Sequence, residues 1–204
     1  MSNISVIIPV YNEADTIFSF LLYLQKMNSN NIREFLVIDG GSDDGTQKII
    51  SDFSKKNEKF KRIDSKKGRA IQMNIGATKS SGHILYFLHA DSLPPEKYDK
   101  YIIEAIDHGS GSGCFRMKFD SAHWILKIAG WLTQLNWKSC RGGDQSLFVE
   151  KKLFLLESAN YAMQFLLVLN GSRADAQIKN PTRWQVPINT FSPSKICAGM
   201  GETI

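Results

Sequence analysis

Four short runs of β-branched and aromatic residues, each released into a polar turn and then a helical stretch, constrain this chain more than anything else in it. The runs at 4–10, 34–38, 60–63 and 84–88 read as strands, the first and last buried on both faces. Helical spacing follows each of them. Ile17, Phe18, Leu21, Leu22 and Leu24 lie on one side of a first helix, and further helices are expected to about Lys56, over 70–79 and over 95–108. Strand–helix alternation of this kind predicts an α/β fold with a mostly parallel sheet, right-handed crossovers and flanking helices. Pro9 fits only at the margin or edge of such a sheet, because it has no amide proton to donate. Ser42 or Asp43 is expected to cap the second helix.

The second part of the chain has a different texture. Residues 109–113 form a glycine–serine hinge, 113–119 alternate like a strand, and 122–137 are helical with Trp124, Ile128, Trp131 and Leu135 along one side. Such a stripe usually packs inward. The competing expectation, with Trp137 nearby, is a helix lying on a membrane surface. Residues 141–145 turn into a strand at 146–149, and beyond Glu157 the pattern weakens. With 204 residues and 43% hydrophobic content, one domain with a sizeable core is expected over 1–156, followed by a divergent tail over 157–204.

The ends of the predicted strands carry the chemistry. In open α/β sheets ligands sit beyond the carboxyl ends of the strands. Tyr11-Asn12-Glu13, Asp39 with its Gly-Ser-Asp loop, and His89-Ala90-Asp91 all fall there, so a convergent acidic cleft is expected. Asp91, delivered by a rigid strand, is suited to a metal ion and its phosphate; the plainer expectation is a cap for the helix near Pro95. Gly40, Gly41 and Gly45 would let backbone approach a ligand, or simply form turns. Lys67 and Arg69 are cations suited to a pyrophosphate, or else solvated surface charges. Gln72 and Asn74 lie on the next helix, where an interior Asn is mildly unfavourable, so Asn74 is expected either to have a polar partner or to lie on the helix surface, which tolerates it.

Composition excludes several classes. The net charge of +5 comes from dispersed basic residues, with no arginine-rich arm, so nucleic-acid binding is discounted. Cys114, Cys140 and Cys197 have no paired spacing and suggest reduced thiols in a cytoplasmic setting. The N-terminus does not read as a signal peptide, and no run is long enough to span a bilayer. There is no dinucleotide fingerprint, P-loop, nucleophile elbow or zincin motif.

Taken in order, SVIIPVYNEADTI, FLVIDGGSDDGT, GRAIQMNIGATKSSGHILYFLHAD and RGGDQSLFV resemble the family-two glycosyltransferases of GT-A fold, over about Ser5 to Lys152. The resemblance is to a bacterial subgroup in which His-Ala-Asp stands in place of Asp-x-Asp. It implies a nucleotide-diphosphate-sugar donor, a divalent cation (Mn or Mg) and an inverting transfer. By that analogy Pro9, Tyr11 and Glu13 flank the nucleotide, Asp39 contacts the base, and Arg69 and Asn74 lie by the donor. Asp91 binds the metal. His89 replaces a carboxylate, and a neutral imidazole suits Mn better than Mg; packing is its plainer role. The acceptor is open, a lipid-linked one and a peripheral contact at the inner membrane face included, as is a homo-oligomer.

The chain also departs from the family pattern. Relatives place a Glu-Asp pair after the Gly-Asp-Gln-like segment, commonly as general base, and no such pair follows here. Asp144 is the remaining candidate for an acceptor-side catalytic group, with turn formation as its plainer role. The tail does not resemble the family and is expected to be foreign to the ancestral fold, through a frame change or truncation. Two alternatives stay open: a catalytically impaired nucleotide-sugar-binding protein, and a nucleotidyltransferase. The latter should carry a phosphate-binding glycine loop where Tyr11-Asn12-Glu13 stands.

Overall fold

The computed structural model describes residues 3–118, 146–160 and 187–190. A six-stranded sheet in the order β3-β2-β1-β4-β8-β6 forms its centre. Its strands are β1 (Ile4–Val10), β2 (Ile32–Asp39), β3 (Phe60–Asp64), β4 (Ile84–Phe87), β6 (Ser112–Cys114) and β8 (Leu147–Glu150). The first four are mutually parallel, and β8 runs antiparallel to both β4 and β6. The expected mostly parallel α/β sheet is therefore present. A smaller sheet joins β5 (Ser92–Leu93), β9 (Pro187–Thr190) and β7 (Arg116–Lys118). No helix among the described residues is long and apolar enough to cross a membrane.

Alternation along the strands feeds two cores. Ile4, Val6, Ile8 and Val10 of β1 face one side, with Phe35 and Val37 of β2. There they meet α1 (Ile17–Lys26), α2 (Thr46–Lys56) and α4 (Tyr98–Asp107). Ile7, Leu36, Ile38, Leu85 and Phe87 face the other side, against α3 (Arg69–Lys79) and α5 (Lys151–Asn160). Because β1 is covered on both faces it reads as a continuous apolar run. Burying each such Ile, Val or Phe contributes about 1.5–3 kcal/mol.

Pro9 lies in a central strand, yet the margin rule holds locally. Successive residues of a strand direct their backbone groups to opposite neighbours. Ile7 faces β4, since its carbonyl accepts from the Leu88 amide. Pro9 therefore faces the same side, where β4 has already ended at Phe87. The missing amide proton leaves no ladder bond unmade.

Other boundaries moved for identifiable reasons. The alternating stretch at 113–119 is divided between β6 and β7, which belong to different sheets. Phe115 separates them, fully buried against Tyr86 and Phe148. The helix expected from Pro95 starts at Tyr98, after Lys97 adopts φ 61°. Neither Ser42 nor Asp43 caps α2: its N-cap is Gly45 at φ 98°, and Asp44 accepts from the Thr46 amide at 3.0 Å. Helix α5 spans residue 156, and residues 187–190 pair with β5 and β7. The Trp124 stripe, Trp137, Asp144, Cys140 and Cys197 lie outside the described residues.

The amino-terminal rim of the sheet is held by Glu34, which is buried. Its carboxylate accepts from the Ser5 hydroxyl at 2.9 Å, from the Ser81 amide and hydroxyl at 2.6 and 2.7 Å, and from Lys61 at 2.9 Å. Burial alone would raise its pKa, but the Lys61 ammonium, the Ser81 donors and the Ser5 hydroxyl together outweigh that and hold it down at about 2. α3 approaches the sheet closely at Gly76, where an added Cβ would lie 2.4 Å from Ile7 Cγ2.

Two stability effects are expected. Glu34→Gln should cost about 3 kcal/mol at neutral pH by urea unfolding. A depressed folded pKa stabilises above the unfolded value, so the gap to wild type should shrink as pH falls below 4.5 and close near 2. Gly76→Ala gains up to about 1 kcal/mol of helix propensity but overpacks a fully buried isoleucine. A net loss of about 1–2 kcal/mol in the same assay is expected.

Candidate active site at the carboxyl rim of the sheet

Parallel pairing puts the carboxyl ends of β1, β2 and β4 on one rim, because Val10 pairs with Asp39 and Ile7 with Phe87. A cleft of about 280 Å³ opens there. Pro9, Val10, Tyr11 and Glu13 line it from the end of β1; Lys67, Gly68, Arg69 and Gln72 from the start of α3; His89, Ala90 and Asp91 from beyond β4. Of the residues singled out in the sequence, Pro9, Tyr11, Glu13, Arg69, His89 and Asp91 are thus brought together. Asp39 and Asn74 are not among the lining residues.

Asp39 shares the rim but turns into its own loop. Fully buried, its carboxylate accepts from the amides of Gly41 at 3.0 Å and Ser42 at 3.1 Å, from the Ser42 hydroxyl, and from Gln47 at 2.8 Å. A buried carboxylate without such donors would be costly. Glu13 and Asp91 share the cleft with Lys67 and Arg69, the cations expected beside it, while Asp39 does not line it. Gly40, expected to admit a ligand, instead admits Gln72, whose Nε2 lies 3.1 Å from where a Cβ would be.

The β1–α1 and β2–α2 loops are laced together. Asn12, at φ 53°, donates its amide to the Ser42 hydroxyl at 2.9 Å. Its side chain donates to Asp43 at 2.9 Å and accepts the Asp43 amide at 3.1 Å. Thr46 Oγ1 accepts the Glu13 amide at 2.9 Å and donates to Asp44 at 2.6 Å, while Asp44 accepts the Ala14 amide at 2.9 Å. The Glu13 carboxylate accepts from the Thr16 hydroxyl at 2.8 Å, in the turn that opens α1.

On the facing side, the Lys67 ammonium sits 3.8 Å from the centroid of the Tyr11 ring, a cation–π contact worth about 0.5–1 kcal/mol at an exposed site. Arg69 begins α3, whose amino end adds positive potential to the same wall. These cations suit an anionic ligand in the cleft.

Asp91 is exposed at the cleft, and its Oδ1 accepts from the Ser92 hydroxyl at 3.0 Å. It does not cap α4, which starts at Tyr98. His89 is buried in the wall. Among the described residues no group of three or more His, Cys, Asp or Glu could hold a metal ion. One carboxylate and one imidazole fit a cation whose remaining ligands come from substrate phosphates and water, rather than an all-protein cage.

Gln72 is what sequence reasoning passed over in favour of Asn74. Gln72, Met73, Gly76 and Ala77 form the buried face of α3, whereas Asn74 is exposed. The signal was present: the small residues Gly76 and Ala77 mark the side of the helix that meets the sheet, and Gln72 shares it.

Comparison with known proteins agrees with this architecture. The family model described as Glycosyl transferase family 2 matches residues 5–141. Glycosyltransferase AglE of Haloferax volcanii is 36% identical over 113 residues, 54% of this chain and 36% of that protein. The structure of S. aureus TarS 1–349 in complex with UDP superposes with a TM-score of 0.61 at 19% identity, covering 76% of this chain and 49% of that one. Glucosyl-3-phosphoglycerate synthase from Mycobacterium tuberculosis, in complex with Mn²⁺, UDP and glucosyl-3-phosphoglycerate, superposes at 0.57 with 15% identity over 93% of this chain and 71% of that one. The two superpositions are likenesses of fold, that of the GT-A glycosyltransferases. This chain spans about a third of AglE and half of the TarS fragment. With the family's pattern running from β1 to residue 141, more than half its length, the chain belongs to glycosyl transferase family 2.

Proposed function

We propose that the protein transfers a sugar from a nucleotide-diphosphate-sugar donor to an acceptor hydroxyl, with inversion at the anomeric carbon. One observation carries this: the turns after β1 and β4 and the start of α3 meet in a single cleft lined by Lys67, Arg69 and Asp91 together. That disposition suits a diphosphate whose charge is shared between side-chain cations and a divalent ion. Tyr11 offers an aromatic face at the rim, with Pro9 and Glu13 beside it. In this proposal Asp39 acts on the base side through the loop it orders, and Asn74 stays near the donor.

Arg69 and Lys67 would balance charge on the diphosphate as the glycosidic bond to it breaks. Asp91, assisted by His89, would hold the cation, which when bound stabilises the leaving diphosphate. Asp144 would take the proton from the acceptor hydroxyl as its oxygen attacks the anomeric carbon from the opposite face. The cytoplasmic setting expected from the unpaired cysteines and the open choice of acceptor, a lipid-linked one included, belong to the same proposal. Because no Glu-Asp pair follows Asp144, a second reading is a protein that binds nucleotide sugars without transferring them.

Titration calorimetry with UDP- and GDP-sugars in the presence of Mn is the direct test. Uptake that weakens on chelation is expected, and Asp91→Asn should abolish that metal dependence. No uptake of any nucleotide sugar would defeat the proposal. Asp144→Asn should leave donor binding intact and lower turnover by about 10²–10⁴-fold. Unchanged turnover removes Asp144 from the mechanism, and donor binding with neither hydrolysis nor transfer in the wild type favours the non-catalytic reading.

A further inference from the structure

The parallel ladder between β1 and β2 ends at Val10 and Asp39, and each strand passes at that point into one of the two laced loops. A backbone carbonyl has two lone pairs, so where the ladder ends one already bonded to an amide can take a side-chain donor as well. One side chain supplies such a donor to a carbonyl on each strand. Gln72, in the first turn of α3 and 4% exposed, donates from Nε2 to the Val10 carbonyl at 2.7 Å and to the Ile38 carbonyl at 2.7 Å. Both partners are acceptors only, so the orientation of the amide is settled by its surroundings. The Val10 carbonyl also accepts the Gly40 amide at 3.0 Å, which draws the β2–α2 loop into the same knot. Gly40 has no side chain there, and Gln72 occupies the space a Cβ would need.

Val10 immediately precedes Tyr11, and Ile38 immediately precedes Asp39. We propose that Gln72 is a positioning residue for the donor site: its amide fixes the spacing of the two strand ends and thereby the placement of the Tyr11–Glu13 turn relative to the Asp39 loop. The proposal rests on the donor-binding reading for its effect on affinity, but not for its effect on the loops. Leucine or methionine would fill the same buried slot at the helix–sheet contact, so packing alone does not call for an amide. An amide that bonds one carbonyl on each strand ties the two strand ends together, which an apolar side chain cannot do.

The test compares Gln72→Met, close in volume but without donors, with Phe53→Leu, a core substitution at the contact between α2 and β3 on the far face of the sheet. Both should lower Tm. At a temperature where each is fully folded, Gln72→Met should raise the Kd for a Mn–nucleotide-sugar about tenfold while Phe53→Leu leaves it unchanged. Hydrogen exchange of the amides of Asn12, Gly40, Gly41 and Ser42 should accelerate in Gln72→Met and not in Phe53→Leu. Should Gln72→Met fail to fold, Gln72→Asn, which keeps the amide but is too short to reach both carbonyls, takes its place. An unchanged Kd, or loop exchange no faster than in Phe53→Leu, overturns the proposal. If the wild type takes up no nucleotide sugar, the transferase reading falls, and the exchange comparison alone decides the role of Gln72.

Discussion

Everything at the cleft depends on β1 being paired in parallel on both sides. Parallel neighbours leave the sheet in the same direction, so the turns after β1, β2 and β4 arrive at one rim without further arrangement. The same geometry creates a difficulty. Where the ladder stops, backbone groups are left in a half-buried place that water reaches poorly. Side chains resolve it. Gln72 covers two carbonyls, Asp39 gathers two amides, and Ser42 and Thr46 receive the amides of Asn12 and Glu13. At the opposite rim Glu34 does comparable work for Ser81, Ser5 and Lys61.

This polar closure shapes the electrostatics of the site. Asp39, whose oxygens accept from its own loop and from Gln47, stiffens the platform beside the cleft. The carboxylates left at the cleft are those of Glu13 and Asp91, with Lys67 and Arg69 facing them. A cavity lined by both carboxylates and cations suits a ligand that brings a cation and a diphosphate together. It suits a purely cationic or purely anionic partner less well.

Much of this was legible in the residues, and what was not has a physical reason. The strands over 4–10 and 84–88 stood out because a strand covered on both faces must be apolar throughout. Tyr11, Glu13, His89 and Asp91 could be placed together because strand ends in a parallel sheet share an edge, whereas Arg69 was named as a cation beside that edge and by resemblance to the family. The division of 113–119 between two sheets was not visible: alternation looks the same whichever partner a strand takes, and Phe115 is committed only by Tyr86 and Phe148. Likewise, a Gln and an Asn two residues apart on one helix differ in sequence only by phase. Packing against Ile7 and Ile38 through Gly76 set which of them turned inward.

The sequence by itself determined the α/β class, the parallel sheet and its functional rim, since hydrophobic periodicity and the length of each run leave few other ways to bury those side chains. Only the tertiary structure decided which polar residues at that rim line the cleft and which serve the backbone. Asp39 and Gln72 are chemically as capable of binding as Asp91. They are occupied because amides and carbonyls from strands distant in sequence converge on them, and that convergence exists only once the sheet has formed.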